Sequence, residues 1–360
     1  MIFSSESLVD FVRRVFVAMG SSENDATIAA KSLCLADLRG VDSHGVARLS
    51  NYVRLWEKGR LNANPDIRIV HETPSTAVVD GDAGAGLLVA PKAMAIAMKK
   101  AQHVGTGWVA VKNTNHFGIA AAHSMLALEQ DMIGWSMTNA SPLVVPHWSK
   151  SKFLGTNPIS VAIPAGAQPP VVVDMATTTV ANGKLEVAQR QGKDIPYGWA
   201  VDKDGNQTNS AFALKNGGAM LPLGGEYGGH KGYCLGSLVD ILTGVLPGAN
   251  FGPWVPPFVA FMEPKNESVG EGIGHFLGAM RVDAFRSVAE FKASMDKWIE
   301  TFRNAETVEG QERVLIPGDP ERLLMEQRIK NGIDLLEPVV EDLQSLTIKF
   351  NIEFANVIKC

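Results

Sequence analysis

Cysteine is scarce in this 360-residue sequence: Cys34, Cys234 and Cys360 stand far apart and form no CxxC pair. A disulfide framework and a zinc ribbon are therefore unsupported, and the usage fits a reducing, cytoplasmic setting. Long apolar runs are also missing. No segment approaches the ~20 apolar residues of a membrane span, and Met1-Ile2-Phe3-Ser4-Ser5-Glu6 has no basic region ahead of an apolar one, so neither membrane insertion nor secretion is expected. With a net charge of -5 and no basic run or interleaved aromatic patch, nucleic acid is not the expected partner. No repeat or low-complexity tract stands out.

Two nucleotide-binding fingerprints are absent as well. Gly81-Asp82-Ala83-Gly84-Ala85-Gly86 follows the run Val78-Val79-Asp80 but is not spaced GxGxxG. Lys99 and Lys100 stand where a Rossmann fold would place its ribose-binding acid, so a tight turn before a helix explains the glycines better. Lys231 is followed by Gly232 rather than Ser or Thr, which disfavours a P-loop.

What is present is enough hydrophobic residue, 46%, for a large core, and 35 glycines for many turns and close backbone approaches. Leu8, Phe11, Val12, Val15, Phe16 and Met19 form a helical stripe ended by Gly20, and a second helix runs from Ala26 to Leu38. From about residue 67 the pattern changes to short β-rich runs at 67–70, 77–80, 108–111, 133–138, 159–163, 171–173, 258–262 and 276–282, with an alanine-rich helix over 90–102. Asp202-Lys203-Asp204-Gly205-Asn206 reads as a tight turn after Trp199-Val201. Helices return at 288–303 and 320–346, interrupted near Gly332 and Pro338. The fold class is thus α/β, with the two helical ends expected to pack together as one discontinuous domain.

The chemistry concentrates in a few places. Ser43 is a good N-cap for a helix over 45–56, on which His44, Arg48 and Tyr52 recur every four residues. Arg48 offers a planar fork to a carboxylate, and His44 beside it has the pKa range for proton transfer; the bland alternative is a solvated helix face. Asn115 and His116 emerge where a strand ends, a usual place for functional groups, with a buried or capping role as the alternative for His116; His123 shares its helix face, but no third metal ligand is suitably placed and no metal is expected. Leu221 to Tyr233 carries five glycines into a helix expected from about Tyr233, with Lys231 at its start, a candidate phosphate cradle or else a plain glycine-rich turn. Asn139, Ala140, Ser141, Thr156, Asn157 and Asp174 could line one polar crevice for a nucleotide.

Asp42-Ser43-His44-Gly45 with Arg48 and Tyr52, Asn115-His116-Phe117-Gly118, Leu154-Gly155-Thr156-Asn157-Pro158, Asp174-Met175-Ala176 and Gly229-His230-Lys231-Gly232 resemble, in order and spacing, the type-2 malate/L-lactate dehydrogenase family, from about residue 5 to residue 345. The resemblance implies NAD- or NADP-dependent interconversion of a 2-hydroxy acid and a 2-oxo acid by a homodimer on a non-Rossmann NAD(P)-binding α/β domain (residues 74–309). A helical domain from residues 1–73 and 310–360 would carry the substrate-side helix. It further implies His44 and His116 as candidates for proton transfer, with Asp202 orienting the histidine, and Ser43, Arg48 and Tyr52 on the substrate. Asn139, Ser141, Thr156, Asn157, Asp174, Met175, Ala176, His230, Lys231 and Gly318 are the implied cofactor contacts. Malate/oxaloacetate is the first expectation for substrate; lactate, sulfolactate, ureidoglycolate or a cyclic imino acid are the alternatives within the family. Two other classes compete: a pyridoxal-phosphate enzyme using Lys231, and a non-catalytic small-acid binding protein.

Overall fold

The computed structural model describes residues 1–259 and 262–354. The N-terminal stripe is buried as read: α1 (Ser5–Met19) is capped by Ser4, which accepts the Ser7 N–H, and ends at Gly20, whose φ of 112° a side chain would resist. α1 packs on α2 (Glu23–Leu38), and α3 (Leu49–Glu57) joins them. The other end of the chain returns to the same place. β1 (Ile2–Phe3) pairs antiparallel with β12 (Ile333–Asp334), and α10 (Glu337–Phe350) sends Val340, Leu343 and Leu346 into the core built by Phe3, Leu8, Phe11, Leu33, Leu49 and Tyr52. A shared apolar core is what holds two sequence-distant segments together.

The middle of the chain builds a seven-stranded sheet from β2 (Arg68–Glu72), β3 (Thr76–Gly84), β4 (Thr106–Thr114), β5 (Met132–Thr138), β6 (Ile159–Ile163), β7 (Val171–Met175) and β11 (Ile273–Arg281), in the order β2-β3-β4-β11-β5-β6-β7. Only β3 and β4 run parallel, joined across α4 (Gly86–Val104) as a single crossover; the other neighbours are antiparallel. A doubly wound nucleotide fold needs several parallel crossovers, so the missing GxGxxG is consistent with the topology. β8 (Ala200–Val201), β9 (Gln207–Thr208) and β10 (Ala219–Met220) form a small separate sheet. The short α5 (Ala121–Ser124), α6 (Asn182–Gln191), α7 (Gly225–Asp240), α8 (Val288–Arg303) and α9 (Asp319–Asn331) complete the set. No helix among the described residues is long and apolar enough to cross a membrane.

Two local expectations are corrected. α7 begins at Gly225, not near Tyr233, so its glycines are inside a helix rather than in a loop ahead of one. They are there for space: a Cβ on Gly232 would lie 2.3 Å from the Leu223 backbone nitrogen, because α7 folds back against the segment that precedes it. The run at 258–262 is not a strand at Phe258 or Val259, and residues 260 and 261 lie outside the described residues.

Candidate active site

One cleft, of about 240 Å³, opens where the helical ends meet the sheet, and His44, Arg48 and His116 all line it. The 45–56 helix expected on Ser43 is not continuous. Asp42–His44 and Val46–Arg48 are separate 3₁₀ turns, and the α-helix starts only at Leu49. The cause lies beneath, on α2. Asp37 is buried, its Oδ2 accepts the Val46 N–H at 2.8 Å, and a Cβ on Gly45 would stand 2.1 Å from its Oδ1. The chain therefore bends at Gly45 to cross over this carboxyl. Burial outweighs the Val46 hydrogen bond and pushes Asp37 up to about 8, so it is neutral at pH 7. Arg328 ties the same corner by donating to the Asp37 carbonyl and to Asp42.

Ser43, freed from capping, places its Oγ 2.9 Å from His44 Nδ1. Burial pushes His44 down to about 4, with the Arg48 cation adding to the effect. His116 follows the end of β4, where Asn115 Nδ2 donates to the carbonyls of Arg60 (3.1 Å) and Ala83 (2.8 Å) and fixes the backbone. Its ring stacks on Phe258 at 4.2 Å and faces the His44 ring at 5.7 Å. Burial, then the neighbouring His44 and Arg48, hold His116 well below the usual histidine range. Both rings are thus neutral bases at pH 7. Tyr52 is buried, and its hydroxyl lies 2.7 Å from His116 Nδ1, which also accepts the Gly118 N–H at 3.3 Å. A backbone N–H can only donate, so Nδ1 is an acceptor and the proton of the neutral ring sits on Nε2. Tyr52 therefore supports His116 rather than touching the cleft itself.

Arg48 is held from two sides. Its Nε donates to the Ser43 carbonyl at 2.6 Å, and its Nη2 pairs with Glu186 of α6 at 3.2 Å. The facing wall combines apolar Ile119, Leu143 and Met175 with polar Ser141, Thr156 and Asp174. Ser141 Oγ accepts the Phe258 N–H at 2.9 Å, and Asp174 Oδ2 accepts the Ala121 N–H at 3.0 Å. An apolar slot beside the stacked His116 and Phe258, with hydroxyls and a carboxylate along one side, fits the flat ring and ribose of a nicotinamide nucleotide.

The sequence profile of the malate/L-lactate dehydrogenase family matches residues 3–344. The chain belongs to that family. It is 42% identical to a malate dehydrogenase of Pyrococcus horikoshii over 97% of this chain and 95% of the relative, and 38% identical to an L-sulfolactate dehydrogenase of Methanocaldococcus jannaschii over the full length of both. The crystal structure of a malate dehydrogenase from Entamoeba histolytica superposes with a TM-score of 0.91 at 31% identity, covering 98% of this chain and 99% of that one. As a member of the family the chain is a hydroxy acid dehydrogenase, an oxidoreductase whose reaction calls for a nicotinamide cofactor.

The cleft gathers about half of the residues expected from the sequence. His44, Arg48, His116, Ser141, Thr156, Asp174, Met175 and Ala176 line it. Asp202 does not: its Oδ1 accepts the N–H groups of Asp204 and Asn206 within its own turn, and it makes no hydrogen bond to either histidine. Asn139 and Asn157 are buried and committed to the backbone, Asn139 to Asn250 and Gly274, Asn157 to Ala140 and Gly236. His230 and Lys231 are exposed on α7, and Gly318, at φ 94°, caps α9 against Val172; none of the three lines this cleft. His123 is buried, its Nε2 within 2.8 Å of the Phe117 carbonyl.

Sequence reading missed Asp37, Glu186, Arg39 and Glu321. Asp37 left a usable trace: it falls on the buried face of α2, four residues after Leu33, where a carboxylate is costly and needs a reason. Arg39, buried and set among Asp174 and Glu321, and Glu186 depend on approaches between distant segments that no local spacing encodes.

Proposed function

We propose that this dehydrogenase interconverts a 2-hydroxy acid and its 2-oxo acid, with malate/oxaloacetate as the principal pair and NAD or NADP as the hydride carrier. The observation that carries this reading is the convergence of the Arg48 guanidinium and two neutral histidines beside an apolar slot. In the oxidation direction Arg48 holds the substrate carboxylate through the edge not used by Ser43. His44 takes the hydroxyl proton on Nε2 while Ser43 fixes its Nδ1. His116, with its proton on Nε2, donates a hydrogen bond to the oxygen as charge develops there. The nicotinamide, when bound, supplies the hydride acceptor for the carbinol carbon. Ser141, Thr156, Asp174, Met175 and Ala176 are the side that orients it. Malate is favoured over sulfolactate because the Pyrococcus horikoshii relative is the more similar of the two. Lys231, exposed on α7 away from the cleft, does not favour a pyridoxal-phosphate enzyme.

A spectrophotometric panel of oxaloacetate, pyruvate, 2-oxoglutarate, sulfopyruvate and a cyclic imino acid, each with NADH and NADPH, tests the reading. Oxaloacetate is expected to have the highest kcat/KM; oxidation of neither nucleotide with any 2-oxo acid would overturn it, and a higher value for sulfopyruvate would replace the substrate.

We further propose a homodimer that covers the end of α7 and the turn after it, where Leu238, Ile241, Val245 and Leu246 are 47%, 54%, 51% and 57% exposed. Side chains of this size grouped on one surface are unusual for a monomer. Sedimentation is expected to give twice the chain mass of 38.6 kDa, and Ile241→Asp to give the monomer; a monomeric native protein would exclude the interface.

A further inference from the structure

The carboxylate clamp carries its own counter-ion. Arg48 uses the side edge of its guanidinium, Nε to the Ser43 carbonyl at 2.6 Å and Nη2 to Glu186 Oε2 at 3.2 Å, so the end edge formed by Nη1 and Nη2 stays available to a ligand. Glu186 is itself fixed, because its Oε1 accepts Asn182 Nδ2 at 2.9 Å. The same α6 forms part of the cleft wall through Asn182 and Gly183, and a Cβ on Gly183 would stand 2.6 Å from Ser43 Cβ, so this helix is in close contact with the turn that carries His44. The ion pair is partly withdrawn from water, with side-chain exposures of 17% for Arg48 and 27% for Glu186. Elsewhere in the cleft Arg39 is matched by Asp174 and Glu321, and both histidines are neutral at pH 7. An incoming acid therefore meets a guanidinium that is already charge-compensated.

We propose that Glu186 is a positioning and specificity residue that orients the Arg48 fork and tempers its affinity for anions. The inference rests on Arg48 being the substrate clamp. Two charges at this spacing interact by amounts large enough to set affinity, and an enzyme that runs in both directions has to release either acid. Binding the acid too tightly in its ground state lowers KM without raising kcat. Glu186 thus exchanges some ground-state affinity for orientation and release, and it favours ligands that also engage His44 and His116 over simple anions that need only positive charge.

Direct binding of tartronate, a hydroxydicarboxylate that cannot be oxidised while the nucleotide is left out, by calorimetry separates the possibilities. Glu186→Gln removes the charge at nearly constant shape, and it is expected to bind tartronate about tenfold more tightly, with KM for the 2-oxo acid falling and kcat falling severalfold. Glu186→Asp restores the charge and is expected to return tartronate affinity most of the way to wild type. Unchanged or weaker tartronate binding by Glu186→Gln, or no return in Glu186→Asp, would overturn the role of Glu186. Arg48→Ala is the control for the underlying assignment: if it binds tartronate as well as wild type does, Arg48 is not the clamp, whatever Glu186 does.

Discussion

Arg48→Ala is expected to lower kcat/KM for the 2-oxo acid by roughly two to four orders of magnitude, with the loss shared between a higher KM and a lower kcat. Each factor of ten corresponds to about 1.4 kcal/mol of transition-state stabilisation. A charge-assisted, bidentate bond to a carboxylate supplies part of that, and the rest comes from alignment, because a substrate free to rotate about its C2 carbon no longer presents that carbon to the nicotinamide. The truncation has a second consequence particular to this site. Glu186 is left without its cation at 27% side-chain exposure, so its unpaired charge repels the acid that Arg48 used to attract. Arg48→Lys is expected to recover only part of the loss: an ammonium is a point charge and cannot keep Ser43, Glu186 and the substrate at once. Steady-state kinetics on the two variants decide the matter, and near-normal turnover in Arg48→Ala would remove Arg48 from the substrate.

The legible part of this protein was what local pattern encodes. The α1 stripe, α4, the runs that became β3 to β7 and β11, the Asp202 turn and α8 follow from periodicity and turn chemistry, and the structure has them close to where the spacing put them. The parts that were misread depend on long-range approaches. Nothing near Ser43 announces that a buried Asp37 will hold the Val46 N–H and break the expected helix into two 3₁₀ turns. The glycines of α7 looked like a loop because glycine is a poor helix former, yet here close packing on Leu223 outweighs propensity. Asn139 looked like a nucleotide contact because it stands at a strand end, and Asn157 because it lies in a turn dense in side-chain donors, but their amides bond to backbone groups of other segments. A side chain's type and position say what it can bond; only the fold says what it does bond.

The two histidines are expected to separate when each is replaced by glutamine. Gln can still donate from its Nε2 but cannot take up a proton, so it preserves a hydrogen-bond donor and deletes a base. His116 has an acceptor Nδ1, held by Tyr52 and Gly118, and carries its proton on Nε2, so His116→Gln is expected to cost about tenfold or less in kcat/KM. His44→Gln deletes the base and is expected to cost about two to four orders of magnitude. The pH profile gives an independent reading. His44 is pushed down to about 4, so it is unprotonated from neutrality down to that region. Relative to His44→Gln, kcat/KM for hydroxy acid oxidation, which needs the free base, is expected to stay level as pH falls from 7 and to drop tenfold per unit below about 4. Reduction of the 2-oxo acid needs the protonated form, so its kcat/KM is expected to rise as pH falls towards the same value. Ionisation of the substrate is common to wild type and variants and cancels when their profiles are divided, so the His44 limb should appear in the ratio of wild type to His44→Gln. A limb that survives in His44→Gln and vanishes in His116→Gln would exchange the two roles, with Tyr52 then the residue that tunes the base.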